Sequence, residues 1–187
     1  GVLQPPQIHP EGDVYVHTLL ALQKLNHPSP ELAMGTLLHD VGKPPTFTIK
    51  ERIRFDGHTD IGADMAVRMC RRLRFSNKQT DHISSLVRQH LQFINVQQMR
   101  KSTLKRFLLQ ERFEQRLELH RVDCLACHGN LENYDFCLKK FEELKKEPPP
   151  TKPLVSGKDL IKLGFKPGPI FKKILMCNSN LNSNEIN

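Results

Sequence analysis

From residue 13 onward, apolar residues recur at three- and four-residue intervals, the spacing of one buried face of an α-helix. Val14, His17, Thr18, Ala21, Leu22 and Leu25 form the first stripe, with Asp13 placed to cap it and the turn at 26–30 to end it. Ser29 followed by Pro30 opens a second helix, which runs apolar over 32–41 and stops at Gly42. Phe47, Ile49, Ile53 and Phe55 then alternate with Thr48, Lys50, Arg52 and Arg54, a period of two that predicts a short β-hairpin flap. Helical spacing returns over 57–73, 77–91, 101–109 and 111–146, with Gly129 placed to interrupt the last run. Pro148, Pro149 and Pro150 end it. Beyond them, 156–163 and 169–176 predict two short helices, and the Asn/Ser-rich end from Asn178 predicts a frayed tail. The expectation is an all-α fold with a hairpin flap, divided into a helical domain over 1–147 and a small helical extension over 148–187.

Composition narrows the class. The 187 residues are 38% hydrophobic and 26% charged, with 10 Gly and 13 Pro, which fits neither a disordered chain nor collagen or a coiled coil. A chain of this length buries a core without disulfides or metal, so a metal site here would signal chemistry. No apolar run approaches the ~20 residues of a membrane span, and residues 1–9 lack the basic and apolar regions of a secretory signal. The five cysteines (Cys70, Cys124, Cys127, Cys137 and Cys177) are odd in number and lie among helix formers, which predicts reduced thiols and a cytoplasmic protein. The stretch 2–10 reads as a proline-containing linker, and a start at Gly1 suggests a piece of a longer chain.

The net charge is +8, unevenly spread. Arg68, Arg71, Arg72, Arg74 and Lys78 follow one another without an intervening acid; Arg100, Lys101, Lys105 and Arg106 form a second basic stretch, and 139–173 a third. Such patches attract polyanions through counterion release, which makes RNA, DNA or a phosphorylated substrate a plausible class of partner. Solvated helix faces give the same pattern, and charge alone does not choose.

Six residues carry the candidate chemistry: His17, the adjacent pair His39 and Asp40, His58, His90 and Asp123. The His-Asp pair falls at the end of a nearly all-apolar helix, where an imidazole and a carboxylate are costly unless a cation compensates them. Imidazole and carboxylate without cysteine suit one or two divalent ions (Mn, Ni, Co, Fe, Mg or Zn) and speak against a structural zinc. Two ions about 3.5–4 Å apart can share a hydroxide and clamp a phosphate. Lys43 could meet the phosphate as a point charge. An isolated histidine is more often a hydrogen-bonded core or surface residue, the reading given to His9, His27, His82, His120 and His128. Cys124, Cys127 and His128 fit the C-x-x-C-H haem pattern. Haem attachment needs an exported chain and an axial partner, so packing thiols are the preferred reading.

LHDVGK (38–43), preceded by His17 and followed by His58, His90 and Asp123, resembles the HD superfamily of metal-dependent phosphohydrolases in its six-ligand form. HPEGDVYVHTLLAL (9–22), GHTDIGA (57–63), RRLRFSN (71–77), LVRQHL (86–91), HRVDCLACHGN (120–130) and LVSGKDLIKLGFKPGPIF (154–171) narrow the likeness. Together they resemble the HD-containing C-terminal part of bacterial CCA-adding enzymes, which are tRNA nucleotidyltransferases, and related poly(A) polymerases. The resemblance covers nearly the whole chain. It implies an HD-domain helical bundle with the start of a tRNA-binding region, and the divalent-metal-dependent 2′,3′-cyclic phosphodiesterase, 2′-nucleotidase and phosphatase activities of some members. It further implies His17, His39, Asp40 and Asp123 as core metal ligands, with His58 and His90 holding a second ion or contacting phosphate.

The catalytic set expected on this basis is Asp40, Lys43, His58 and His90: Asp40 in the metal site, Lys43 and one histidine against the developing charge, and His58 or His90 as proton donor to the leaving oxygen. A nucleotidyltransferase head, with its Gly-Ser or Gly-Gly loop and Asp-x-Asp pair, is not in these 187 residues and is expected in the intact protein. The polar end from Asn178 departs from the further helix expected after Phe171. The alternative reading is a non-catalytic RNA-binding body that contacts tRNA through Arg68, Arg71, Arg72, Arg74 and Lys78.

Overall fold

Asp13 opens the first helix, α1 (Val14–Gln23), by accepting from the backbone N–H groups of Tyr15 and Val16 at 2.8 and 3.2 Å. Ser29 caps α2 (Pro30–Leu38) in the same way, with Pro30 in the first turn. The computed structural model describes residues 1–5, 9–146, 157–166, 168–171 and 173–174. The chain divides into two compact units, Gly1–Leu144 and Lys145–Asn187.

The second helix ends three residues earlier than its apolar run predicts. Its C-terminal residue is Leu38, and Val41 N–H turns back to the Leu38 carbonyl while Lys43 N–H turns to Asp40. Pro44 and Pro45 have no N–H to give the Asp40 and Val41 carbonyls, so the hydrogen-bond ladder of α2 cannot continue through them. A separate turn, α3 (Lys43–Thr46), follows. His39 and Asp40 therefore stand at a helix end rather than inside a helix.

The flap is a two-stranded antiparallel hairpin, β1 (Thr48–Ile49) and β2 (Ile53–Arg54), with Thr48 opposite Arg54 and Ile49 opposite Ile53. Next come α4 (His58–Arg72) and α5 (Asn77–Gln89), the latter opened by a capping box between Ser76 and Gln79. The predicted end of α5 tightens into a 3-10 turn over His90–Phe93, and a second such turn spans Val96–Gln98. After α6 (Lys101–Leu108), the predicted long helix is two helices, α7 (Phe113–Ala126) and α8 (Glu132–Lys146). Gly129 sits between them at φ +69° and closes α7 by donating to the Cys124 carbonyl.

In the first unit, α1 packs on α2 and α7, α2 on α5 and α7, and α4 on α5. Ala21, Leu32, Leu86, Leu119, Val122 and Ala126 fill one core; Leu38, Ala63, Ala66, Cys70, Ile83 and Val87 fill another. In the second unit, α9 (Gly157–Lys162) ends in a Schellman turn, with Phe165 and Gly164 donating to Leu160 and Ile161. The helix predicted at 169–176 lies partly outside the described residues, and Pro148–Pro150, Cys177 and the tail from Asn178 lie wholly outside. No helix among the described residues is long and apolar enough to cross a membrane.

The first residues do not run as a free linker. Gln4 donates to the Gly12 carbonyl and Val14 to the Val2 carbonyl, both at 3.0 Å, so residues 1–5 pair with the segment that leads into α1. The side chain of Gln4 is buried with them.

Gly42 has an ordinary backbone conformation, yet a Cβ there would stand 2.0 Å from the His58 carbonyl and 2.7 Å from the Gly62 amide nitrogen. These are backbone atoms of α4 that cannot move aside cheaply. Gly42→Ala is expected to destabilise the protein by about 2 kcal/mol or more, read as a lowered melting temperature; an unchanged one would refute this account of the α4 approach. The thiols give a second check. Cys124 and Cys137 are buried, and burial pushes both thiols up to about 12. Alkylation by iodoacetamide at pH 8, resolved by mass spectrometry, is expected to be at least about tenfold slower at these two sites in folded than in urea-unfolded protein.

Candidate metal centre

Five elements meet at one buried point. His17 comes from the middle of α1, His39 and Asp40 from the end of α2, His58 from the first turn of α4, His90 from the residue after α5, and Asp123 from α7. His17 and His39 are fully buried, and Asp40 is 2% exposed. The six residues named from the sequence are thus brought together.

Their donor atoms fall into two neighbouring groups of three, His17 with His39 and Asp123, and Asp40 with His58 and His90, each within 4.8 Å. In the first, His17 Nε2 is 3.2 Å from His39 Nε2 and 3.0 Å from Asp123 Oδ1. In the second, Asp40 Oδ1 is 3.7 Å from both His58 Nε2 and His90 Nε2. Asp40 also reaches the first group, with Oδ2 3.3 Å from His39 Nε2. One carboxylate therefore faces both groups, one oxygen to each.

The orientation of three imidazoles is fixed from behind. Nδ1 of His39, His58 and His90 donates to the carbonyls of Thr36, Phe55 and Val87 at 2.8, 2.8 and 2.7 Å. Thr36 and Val87 lie in the last turns of α2 and α5, where carbonyls have lost their intrahelical partners. The same bond satisfies the helix end and turns Nε2 toward the centre, which is how metal-ligating histidines are held.

Both oxygens of Asp40 and Nε2 of His58 are buried with no hydrogen-bond partner. Lys43 Nζ stands 2.7 Å from Asp40 Oδ2 as an ion pair, without the alignment of a hydrogen bond. Orphaned acceptors converging at one point are what a bound cation would satisfy. Electrostatics agree. Burial opposes protonation of His39, but Asp40 beside it and Asp123 nearby raise its pKa to about 9, so a proton is held where positive charge is wanted. Burial also works against ionisation of both aspartates, yet His39 and Lys43 hold Asp40, and His17 and His39 hold Asp123, well below the usual carboxylate range. Burial and the His39 charge push His90 down to about 4, and burial lowers His58. Both are neutral at pH 7, the form in which imidazole binds metal.

Lys43 is buried, its ammonium shared between Asp40 and Gln4 Oε1 (2.6 Å) and 5.5 Å from the Phe55 ring. A cleft leads from the centre to the surface, lined by His9, Lys43, His90, Ile94, Asp123 and His128 among others. Of the histidines set aside from the sequence, His9, His120 and His128 line this cleft, and His120 also stacks flat on Phe93 at 4.6 Å. His27 is exposed, and His82 is buried away from the centre. Gln4 and Glu11 were not anticipated; their contacts are long-range and follow no periodicity. Arg68, Arg71, Arg72, Arg74 and Lys78 lie apart from the centre, over the end of α4 and the start of α5, and all five are exposed. The segment C-x-x-C-H spans the end of α7, with Cys124 buried in the helix and His128 exposed in the turn beyond it.

Compared with known protein families, residues 14–126 match the HD domain. Among curated proteins, the chain is 34% identical over 145 residues to a CC-adding tRNA nucleotidyltransferase of Thermus thermophilus, covering 74% of this chain and 33% of that protein. It is 31% identical over 135 residues to a multifunctional CCA protein of Legionella pneumophila, covering 71% and 33%. It is 30% identical over 180 residues to an A-adding tRNA nucleotidyltransferase of Deinococcus radiodurans, covering 87% and 41%. The chain thus spans between a third and two fifths of the length of these relatives.

Proposed function

Because the chain belongs to the HD domain family, we propose that it is a divalent-metal-dependent phosphohydrolase acting on nucleotide or RNA-terminal phosphoesters. In this reading residues 1–147 are the hydrolase domain, 148–187 an extension, and the whole is the HD part of a longer cytoplasmic, tRNA nucleotidyltransferase-like protein that carries its nucleotidyltransferase head elsewhere. The observation that carries the proposal is the carboxylate of Asp40, buried, free of hydrogen bonds and set between two groups of donors.

His17, His39 and Asp123 would hold one ion and Asp40, His58 and His90 a second, with Asp40 able to give an oxygen to each. A bound divalent cation supplies Lewis-acid polarisation of a phosphoryl oxygen and a water made nucleophilic at neutral pH. The chain's own residues do the rest. Lys43, fixed by Asp40 and Gln4, keeps a positive charge in the cleft wall against the charge that grows on the phosphate. His58 lies at the edge of the centre, where it lines a pocket with Arg52, Arg54 and Phe55 of the flap; with Nδ1–H given to the Phe55 carbonyl and Nε2 to an ion it would orient that ion, and the leaving oxygen would take its proton from water. Of the flap arginines, Arg54 is engaged by Asp56, and Arg52 adds donors for a phosphate approaching from that side.

The exposed basic face supports RNA as a partner. Arg68, Arg71, Arg72, Arg74 and Lys78 form no ion pair among the described residues, whereas nearby Arg88 is engaged by Asp60 and Asp64. Unpaired cations on one surface are free to release counterions from a nucleic-acid backbone.

Two experiments test these readings. Metal-stripped protein given Mn, Ni, Co or Mg is expected to hydrolyse 2′,3′-cyclic AMP, and Asp40→Ala to lose both metal binding and turnover while circular dichroism stays helical. Full activity in that variant, or none in the wild type with any ion, would sink the hydrolase assignment. For the basic face, Arg68→Ala with Arg72→Ala is expected to weaken tRNA binding and to reduce the slope of log affinity against log salt by about 1 per lost phosphate contact. An unchanged slope would remove this face from RNA binding.

A further inference from the structure

Three of the four histidines at the centre anchor Nδ1 on a backbone carbonyl three residues back. His17 does not. Its residue three back is Val14, whose carbonyl already takes the Thr18 hydroxyl at 2.8 Å, and the one four back is Asp13, whose carbonyl takes the His17 amide at 2.9 Å. Lying inside a helix rather than at its end, His17 has no spare carbonyl in reach. Its Nδ1 lies instead 2.7 Å from Oε1 of Glu11, a carboxylate whose side chain is 5% exposed. The contact is short but not aligned as a hydrogen bond, and two buried atoms of this pair have no partner: Nδ1 of His17, and Oε2, the carboxylate oxygen of Glu11 on the other side from the contact atom Oε1. With Nε2 used as a ligand, the first is a donor and the second an acceptor.

We propose that Glu11 is a positioning residue of the metal centre: its carboxylate takes the Nδ1 proton of His17, fixing Nε2 as the lone-pair donor to a divalent cation and strengthening it. The inference rests on the metal-centre reading above. Aligning Nδ1 with the Glu11 carboxylate would satisfy the one His17 nitrogen that a cation at Nε2 leaves over. Behind His17 stands a carboxylate, where the other three histidines have a carbonyl. A full negative charge makes the imidazole the more basic ligand.

His9, Glu11 and His17 lie close enough together to ligate an ion themselves. A neutral imidazole has a single lone pair, however, and His17 cannot offer it on both sides. With Nε2 at the centre, Nδ1 is an N–H and Glu11 is its acceptor. The carboxylate is held in turn: Oε1 accepts from His9 Nδ1 at 2.8 Å and from Gln4 Nε2 at 3.5 Å. Gln4 is also the residue that holds Lys43.

The test is a Co(II) titration of the metal-stripped chain, followed by its visible ligand-field spectrum, for wild type, Glu11→Gln, Glu11→Ala and His27→Ala. Glu11→Ala is expected to bind Co(II) about 10–100-fold more weakly, and near-isosteric Glu11→Gln to fall in between, because it keeps a neutral acceptor. Melting temperatures of the metal-free proteins are expected to stay together, and His27→Ala, an exposed histidine away from the centre, to bind within about twofold of wild type. Glu11 variants that bind as tightly as wild type would overturn the positioning role and leave the centre standing. A loss matched by His27→Ala, or by a fall in metal-free melting temperature, would overturn it too. A wild type that binds no Co(II) would overturn both this inference and the reading beneath it.

Discussion

Asp40 puts a negative charge almost wholly out of solvent, at the foot of a cleft, and the arrangement of the first unit answers that charge. Leaving an ionised carboxylate buried and uncompensated costs several kcal/mol, more than any one helix cap or packing contact in this fold contributes. Compensation comes from Lys43 in the next turn and from His39 with its raised proton affinity, while imidazoles of α1, α4 and α5 converge around the charge and α7 adds a second carboxylate. The helices deliver these groups because α2 and α5 both end at the centre. Their leftover carbonyls orient the imidazoles, so helix termination and ligand presentation are served by the same hydrogen bonds. Gly42 lets the start of α4, and His58 with it, approach closely enough to join them.

Much of this was legible in the residues. The caps at Asp13 and Ser29, the period-two run of the flap and the break at Gly129 all rest on local chemistry that tertiary structure does not override. The pairing of an imidazole and a carboxylate at the end of an apolar helix pointed to a cation, and the resemblance supplied the other members of the set. Harder to read was where α2 stops, because Leu38, His39, Asp40 and Val41 continue the pattern while the prolines after Lys43 turn the chain. The split of six donors into two groups, with Asp40 facing both, depends on how five elements cross and has no linear trace. Glu11 and Gln4 escaped for a related reason. They sit in a Pro- and Gly-containing stretch without periodicity, and their partners, His17 and Lys43, are reached through folding rather than spacing.

The charges divide the labour of the molecule. Its outer surface is strongly basic, with +8 overall and an unpaired patch where α4 meets α5. Its centre is the reverse. Asp40, Asp123 and Glu11 contribute three carboxylates there, against the ammonium of Lys43 and the proton that His39 retains. A phosphoester drawn to the surface would therefore meet repulsion at the centre. One divalent ion that displaces the His39 proton brings the interior to neutrality, and a second makes it positive. An interior of this composition thus admits cations before it admits a phosphate. Two ions sharing Asp40 would change the sign of the field, whereas one alone would only cancel it.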